Sequence, residues 1–426
     1  MKRKIEAQLL AWKEKGSGRM PLILGGARQI GKTYILRQFG KEHFKNVVYI
    51  NLETNQKMVE YFQESIVPDR LLRYMGALVG ERIIPGQTLI ILDEIQSCER
   101  ALTALKYFCE EMPEYHIAAS GSLLGVAVNR QNYSFPVGKV ESLMLHPFDF
   151  EEYLWAKGEE ELSAAIRTAF ADGTALEQPL HEKATALYRE YLLVGGMPAS
   201  INRFLQTGSL EEAAVVQREI LDNYIADMAK YASAAETVQI RTCYRSIPAQ
   251  LQEAEKVSLF RRPKSPAQLF AGSVEWLKFA GIVLESRQVL QAAQPVEAQA
   301  IMDENRLYLS DVGLMAARAG ISHETVLQAE HNDFLQVLEQ NYLAQQFDAQ
   351  GYPLYFWRHR SGTGADFVLQ KGAAAVGIML DKHTGAARRS QAAFAKKHAN
   401  IKQYRFADVN FGQRAGVYPL YAAFCL

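Results

Sequence analysis

The stretch Gly26-Ala27-Arg28-Gln29-Ile30-Gly31-Lys32-Thr33 decides the fold of the first part of this 426-residue chain. It matches the phosphate-binding pattern G-x-x-x-x-G-K-[ST] at every fixed position. Residues 21–24 (PLIL) before it are typical of a short buried strand, and residues 32–39 (KTYILRQF) of a helix start. A strand, a glycine turn and a helix N-terminus form an anion site, because backbone N–H groups and the helix dipole both favour negative charge there.

Each part of this loop has an expected role toward a nucleotide. Lys32 would reach the β- and γ-phosphates, and the Thr33 hydroxyl would ligate Mg²⁺. Gly26 and Gly31 would let the backbone curve around phosphate oxygens where a Cβ would clash. The intervening residues would supply backbone N–H groups: Ala27, Arg28, Gln29 and Ile30. The alternative interpretation is a chance glycine turn before a helix.

The composition is that of an ordinary globular protein, with 48% hydrophobic and 22% charged residues. The formal net charge is zero, which excludes a global field for binding polyanions, so any nucleic-acid contact must be local. The length suggests about three domains.

Cysteine usage and the N-terminus indicate a compartment. The four cysteines do not form a C-x-x-C motif, and the nine histidines do not form an H-x-x-x-H motif. This spacing argues against a zinc site or a disulfide framework. The N-terminal residues are basic but lack the apolar core of a signal peptide. No apolar run approaches the ~18 residues that a membrane span needs. We therefore expect a soluble, cytoplasmic protein with no membrane partner.

A second signal is the carboxylate pair Asp93-Glu94, which follows the apolar run of residues 88–92 (TLIIL). Such a run is typical of a strand buried on both faces of a parallel sheet. Asp93 is placed to hold Mg²⁺ through its water shell, and Glu94 to orient or deprotonate an attacking water. Downstream of a phosphate loop, this pair favours an ATPase-type site.

Two further strand ends carry polar residues. Asn51 and Glu53 lie at the end of the predicted strand of residues 47–53, where they could face the nucleotide or cap the next helix. Ser120 and Ser122 lie at the end of the predicted strand of residues 115–122 (YHIAASGS), and either could hydrogen-bond the γ-phosphate or the attacking water. A simple Ser/Gly turn explains the second pair equally well.

Taken together, its motifs make the chain resemble the bacterial and archaeal AAA+-like ATPases whose C-terminal half is a domain of unknown function. The resemblance rests on phrases that occur in order: GGARQIGKT (25–33), YINLE (49–53), LIILDEIQ (89–96), ASGSLLG (119–125), FPVGKVESLMLHPFDFEEYL (135–154), GGMP (195–198) and YLSDVGLM (308–315). It implies an α/β fold with four parts: a P-loop ATPase core (1–154), a helical lid (155–240), a winged-helix-like segment (241–330) and a nuclease-like domain (331–426). It also implies ATP as the nucleotide.

The resemblance assigns roles to two further positions. Pro198, in GGMP, matches the G-x-P element that related signalling ATPases place near the nucleotide base, although a helix terminator followed by proline is equally consistent. Relatives often carry Gly-Arg as an arginine finger where this chain has Gly138-Lys139. Lys139 or Arg130 could act in trans in a homo-oligomer, but lysine lacks the planar bidentate fork of arginine. Hydrolysis by the isolated protein is therefore expected to be slow.

A small basic cluster lies in the winged-helix-like segment, formed by Arg261, Arg262 and Lys264. Winged helices often bind DNA, so residues 241–426 are a candidate DNA-binding region. A solvated loop is the commoner explanation of so short a basic run.

The last domain resembles the PD-(D/E)XK nucleases, in which an Asp and a Glu at strand ends hold Mg²⁺ and a Lys assists the attacking water. Asp366 fits the first carboxylate and Lys382 the lysine, but the expected Glu falls on Leu380. Gln340 stands where the family often has a helix Glu. Asp381 could substitute only in a shifted register, and a one-residue slip turns a side chain to the other face.

Since one carboxylate rarely holds a catalytic Mg²⁺, we expect a vestigial site that keeps the fold but not the cleavage chemistry. The whole sequence then predicts a slow ATPase that uses ATP and Mg²⁺, whose nucleotide state repositions C-terminal domains that bind nucleic acid or a protein partner. The alternatives are a non-hydrolysing ATP-dependent switch and an ATP-gated nuclease, the latter disfavoured by the missing carboxylates.

Overall fold

A computed structural model of the chain describes residues 1–121, 135–252, 267–328, 333–359, 364–381 and 385–426. These residues group into two compact units. The N-terminal unit comprises Lys2–His146 with Phe279–Gly281, and the C-terminal unit comprises Met1, Pro147–Lys278 and Ile282–Leu426.

In the described part of the N-terminal unit, five strands form a parallel sheet in the order β2-β3-β4-β1-β5. Their bounds are β1 (Leu22–Gly25), β2 (Asn46–Asn51), β3 (Thr88–Asp93), β4 (His116–Ser120) and β5 (Glu141–Met144). Every residue of β3 is buried, as the continuous apolar run predicts. The α/β fold class and the parallel P-loop-type core are confirmed.

Helices cover this sheet: α1 (Ile5–Lys13), α2 (Lys32–His43), α3 (Gln56–Glu64), α4 (Pro68–Val79) and α5 (Glu99–Glu111). Local signals set their ends. The Asn55 side chain caps α3 by accepting the Met58 N–H over 3.0 Å, and Pro68 begins α4. The core on one side of the sheet includes Phe62, Leu92 and Phe108.

The C-terminal unit begins with helices, in agreement with the helical prediction for residues 155–240. Their bounds are α6 (Phe150–Ala156), α7 (Glu160–Asp172), α8 (Gln178–Val194), α9 (Pro198–Thr207), α10 (Leu210–Tyr231) and α11 (Ala234–Gln252). A capping box between Asp149 and Glu152 starts α6. Since α6 spans residue 154, the chain continues as helix across the predicted boundary there. Whether these helices act as a lid stays a prediction.

A mixed sheet follows in the same unit, in which seven strands of the described ranges have the order β12-β11-β10-β9-β8-β6-β7. The strands are β6 (Val283–Val289), β7 (Ala300–Leu309), β8 (Leu354–Arg358), β9 (Gly364–Lys371), β10 (Ala374–Leu380), β11 (Lys402–Ala407) and β12 (Val417–Pro419). The accompanying helices are α12 (Ala267–Phe279), α13 (Val312–Ala319), α14 (His323–Leu327), α15 (Asp333–Ala349) and α16 (Gly385–Lys397).

This sheet crosses the boundary that the sequence predicts at residue 330. Strand β6 pairs in parallel with β8 (Ser286 opposite Leu354) and antiparallel with β7. The hairpin of the predicted winged-helix segment is therefore continuous with the strands of the last predicted domain. The basic cluster Arg261, Arg262 and Lys264 lies outside the described residues, and a winged helix stays a prediction.

Two of the phrases quoted above, GGMP and YLSDVGLM, meet at a buried carboxylate. Asp311 caps α13 by accepting the Leu314 N–H over 2.9 Å, and it accepts the Gly196 N–H over 2.5 Å. Burial raises the pKa of Asp311 to about 6, although these N–H groups oppose the shift. A Cβ on Gly195 would lie 2.8 Å from the Gly313 Cα, so the backbone approach requires glycine.

Within the described ranges, no helix combines the length and the apolar character needed to cross a membrane.

Candidate nucleotide site

The loop between β1 and α2 has the conformation that its glycines permit. Gly26 has φ 134° and Gly31 has φ 93°, both in the region that favours glycine. A Cβ on Gly26 would lie only 2.3 Å from the Leu145 carbonyl oxygen, so the backbone after β5 also excludes a side chain there. Gln29 adds a left-handed residue at φ 67°. The backbone therefore makes a tight turn between the end of β1 and the start of α2.

Lys32 folds back into this loop. Its Nζ donates hydrogen bonds to the carbonyl oxygens of Gly26 (3.0 Å) and Ala27 (2.7 Å), and the residue is 7% exposed. Burial lowers the pKa of Lys32 to about 8, an effect that the charges of Glu94 and Asp93 oppose. The ammonium is thus held where a polyphosphate in the loop would meet it.

Asp93 connects the loop to the ends of neighbouring strands. Its Oδ2 accepts hydrogen bonds from the hydroxyls of Thr33 and Tyr49, each over 2.8 Å. Its Oδ1 accepts from the Ser120 hydroxyl over 2.5 Å and from the Glu94 N–H over 3.1 Å. Three of the sequence-predicted residues (Thr33, Asp93 and Ser120) are therefore in direct contact.

Tyr49 is a site residue that sequence reasoning missed. It lies on β2, where Tyr49 is opposite Ile91 of β3 and Asn51 is opposite Asp93. The Arg37 guanidinium lies over its ring, 4.9 Å from the centroid. Burial raises the pKa of Tyr49, so the phenol stays protonated and donates. The sequence signal was a hydroxyl between the apolar residues Val48 and Ile50 of this strand.

Glu94 begins a tight turn directly after β3. Its backbone is left-handed (φ 52°, ψ 48°), a conformation that costs a non-glycine residue on the order of 1 kcal/mol. Its Oε2 accepts a hydrogen bond from the Gln96 side chain, a residue to which the sequence analysis gave no role. Backbone strain beside a polar contact is frequent at functional sites.

Asn51 follows the capping alternative. Its Oδ1 accepts the backbone N–H groups of Glu53 (2.9 Å) and Thr54 (3.0 Å), which forms an Asx turn after β2. Glu53 itself is exposed.

The predicted finger residue lies at the other edge of the sheet. Strand β5 runs parallel to β1, with Glu141 opposite Leu22 and Met144 opposite Gly25. Lys139 therefore precedes the amino end of β5, while the phosphate loop follows the carboxyl end of β1. Its Nζ forms an ion pair with Glu110 Oε1 at 2.8 Å, which raises the pKa of Lys139. It cannot reach the loop of its own chain, and a role in trans stays a prediction.

Other predicted residues are not placed by the structure at the nucleotide site. Ser122 and Arg130 lie outside the described residues. Pro198 belongs to the C-terminal unit, where Gly195 follows the end of α8 with φ 69° and Pro198 is the first residue of α9. This is the arrangement expected of a helix terminator followed by proline, and its predicted role near the base stays a prediction.

The oxygen donors at the loop suit magnesium. Mg²⁺ prefers oxygen ligands and typically keeps several waters, bound through one or two carboxylates and the phosphates of a substrate. Thr33 and Asp93 provide a hydroxyl and a carboxylate within hydrogen-bonding distance of each other. No group of three or more His, Cys, Asp or Glu in the described ranges could hold a metal by itself. The residues present therefore fit a metal that arrives with a nucleotide.

The predicted vestigial site around Asp366 is occupied by protein contacts. Asp366 Oδ1 accepts from Gln340 Nε2 over 3.3 Å, and Oδ2 accepts the Leu380 N–H over 2.8 Å. The Asp381 carboxylate, just beyond β10, accepts from Gln391 (2.9 Å) and Arg414 (3.0 Å). Lys382 lies outside the described residues.

Two regions of the chain match models of known protein families. Residues 18–154 match the family model of an AAA domain. We refer to this range as the AAA-like core. Residues 185–325 match a domain of unknown function, which spans the end of the helices and the start of the mixed sheet. No curated protein matches this chain.

Solved structures similar to the chain include one ATPase and two proteins with bound nucleotides. A Walker-type ATPase of Pyrococcus abyssi is 17% identical, with 75% of this chain and 95% of that chain covered at a TM-score of 0.46. The ORC2 protein of Aeropyrum pernix, in ADPNP–ADP complexes, is 14% identical, with 77% and 95% covered at 0.39. DnaA of Aquifex aeolicus bound to AMPPCP is 14% identical, with 77% and 87% covered at 0.32.

Proposed function

We propose that the AAA-like core binds ATP with Mg²⁺ and hydrolyses it slowly. The observation that carries this proposal is the Asp93 carboxylate, which accepts hydrogen bonds from Thr33 of the phosphate loop and Ser120 of β4, with Glu94 directly beside it. The grouping of these side chains at one end of the sheet supports their proposed roles as metal ligands, γ-phosphate donor and general base.

Each of these residues has a separate proposed role in binding or hydrolysing ATP. Backbone N–H groups of residues 26–33 and the Lys32 ammonium bind the phosphates. Thr33 and Asp93 hold Mg²⁺, which when bound neutralises charge on the phosphate oxygens. Glu94 accepts a proton from the attacking water, and Ser120 donates a hydrogen bond to the γ-phosphate, a role that Ser122 could share.

Slow turnover follows from the residue at the finger position. A finger arginine is worth about 10³–10⁵ in rate in enzymes that use one. Here the equivalent is Lys139, which has a single ammonium group and is paired with Glu110. A homo-oligomer or another protein could supply the missing group.

Steady-state phosphate release with Mg·ATP tests the proposal. Wild-type protein is expected to turn over slowly, and Lys32→Ala to lose both binding and turnover. Glu64→Gln, which changes an exposed carboxylate at the end of α3, is the matched control and should behave as wild type. Turnover that survives Lys32→Ala would show a contaminating activity or a different site.

A switch that binds ATP without turnover is the second candidate. One observation favours it: Lys139, at the finger position, is held in an ion pair with Glu110. It predicts tight Mg·ATP binding with no phosphate release, with or without DNA.

We also propose that the nucleotide state repositions the C-terminal unit, which would bind DNA or a protein partner through residues 241–426. Phosphate release that rises when DNA is added would support a nucleic-acid partner. Equal rates with and without DNA would direct the search to a protein.

We propose no nuclease activity for the domain that contains Asp366. Its carboxylate is bonded to Gln340 and Leu380, and the position of the second metal ligand is apolar. Cleavage of DNA or RNA that needs Mg²⁺ or Mn²⁺ and disappears in Asp366→Ala would overturn this part of the account.

A further inference from the structure

Gln96 reaches back to Glu94 from a rigid turn. It lies in the short 3₁₀ turn Ile95–Ser97 that follows β3, and its Nε2 donates a hydrogen bond to Glu94 Oε2. The Ser97 N–H donates to the Glu94 carbonyl over 2.9 Å, and the Ile95 side chain is fully buried. The backbone that carries Gln96 is therefore fixed relative to the carboxylate it contacts.

The other side of the Gln96 amide lies against Gly121. A Cβ built on Gly121 would be 2.4 Å from Gln96 Oε1 and 3.5 Å from its Cδ. Gly121 directly follows Ser120, whose hydroxyl donates to Asp93. A side chain at position 121 would therefore displace the amide, which sits between Glu94 and the end of β4.

We propose that Gln96 is the positioning residue for Glu94 in ATP hydrolysis. This inference rests on the ATPase function proposed above. The amide N–H holds Oε2 of the carboxylate, so that Oε1 can take the proton of the attacking water.

The kinetic test uses the full-length chain and three variants. Gln96→Ala should lower kcat by about 10- to 100-fold, typical of a general base that loses its orientation, with KM for ATP within about twofold. Gln96→Met, which keeps the length without the N–H, should give the same result and guards against a folding defect. Gln63→Ala, an exposed glutamine on α3, is the matched control.

Gly121→Ala tests the geometry without changing either polar residue. Its methyl group would displace the Gln96 amide, so it should reproduce the lower kcat with KM for ATP within about twofold. In the Gln96→Ala background it should add nothing, because the atom it displaces is gone.

The outcomes separate the two proposals. Turnover by wild type together with an unchanged or higher kcat in the Gln96 variants would overturn this inference and leave the ATPase proposal standing. Additive losses from Gly121→Ala and Gln96→Ala would overturn it as well. No turnover in wild type would overturn the ATPase proposal and this inference with it.

Discussion

The hydroxyl of Tyr49 donates a hydrogen bond to Asp93 Oδ2 over 2.8 Å, and the Thr33 hydroxyl donates to the same oxygen over the same distance. The proposed metal-binding carboxylate is therefore oriented by a neighbouring strand as well as by the phosphate loop. Since the Arg37 guanidinium packs on the Tyr49 ring, helix α2 supports the same contact.

Tyr49→Phe should weaken the response to magnesium. The change removes one donor to Asp93 and leaves the ring under Arg37, so we expect a stability loss of about 1 kcal/mol, typical of one hydrogen bond. The Mg²⁺ concentration needed for half-maximal ATP binding should rise several-fold, which a titration with a fluorescent ATP analogue would measure. Tyr61→Phe, at the stacked pair with Tyr74, is the control. An unchanged Mg²⁺ titration would show that Tyr49 has no part in holding Asp93.

ATP binding above neutral pH should take up a proton at Lys32. Its pKa of about 8 means that part of the population is neutral at pH 8.5, and a bound polyphosphate favours the charged form. Calorimetry in two buffers of different ionisation enthalpy measures this uptake, which should vanish at pH 6.5. Lys32→Arg stays charged and should bind without uptake. Binding by wild type at pH 8.5 with no proton uptake would contradict the buried position of Lys32.

His116 should make the N-terminal unit sensitive to acid. Burial between Trp12 and Phe44 lowers its pKa to about 4, with a smaller contribution from Arg19. Because the unfolded chain binds the proton more readily, the stability contribution of neutral His116 is complete above pH 6.5 and is lost as pH falls toward 4. Urea unfolding of His116→Phe between pH 4 and 7 should show a shallower pH dependence than wild type. Equal slopes for the two proteins would refute the prediction.

Asp311 should give the opposite pH dependence of stability to that of His116. Its raised pKa of about 6 means that the folded state holds this proton more tightly, so the contribution is complete below about pH 4 and is lost as pH rises through 6. The shift corresponds to roughly 3 kcal/mol at about 1.4 kcal/mol per unit. Asp311→Asn lacks this titration, so the stability of wild type relative to the variant should fall by up to that amount between pH 4 and 7.

Asp172→Asn, an exposed carboxylate at the end of α7, controls for the change of charge. A constant difference between wild type and Asp311→Asn at every pH would show that Asp311 does not titrate in this range.

Local patterns predicted the parts of the site that depend on local structure. The loop from Gly26 to Thr33 needs glycine for its positive φ angles, and Asp93 with Glu94 ends an apolar strand, so each could be read without long-range information. The sequence assigned both Thr33 and Asp93 to Mg²⁺, and the hydrogen bond between them is consistent with that assignment.

Positions set by strand register could not be predicted. The contact of Tyr49 with Asp93 depends on the pairing of β2 with β3, and that of Gln96 with Gly121 on the turn after β3. Lys139 lies far from the phosphate loop because β5 is parallel to β1, which the sequence near it does not reveal. The sheet that crosses residue 330 depends on the pairing of Ser286 with Leu354, which are distant in the chain.

The most direct test of the central claim is phosphate release by Glu94→Gln compared with wild type, with Mg·ATP affinity measured on the same samples. The account predicts slow turnover by wild type, and a loss of about 100-fold or more in Glu94→Gln with ATP still bound, since only the general base is removed. Equal turnover by the two proteins, or tight ATP binding by wild type without phosphate release, would contradict it.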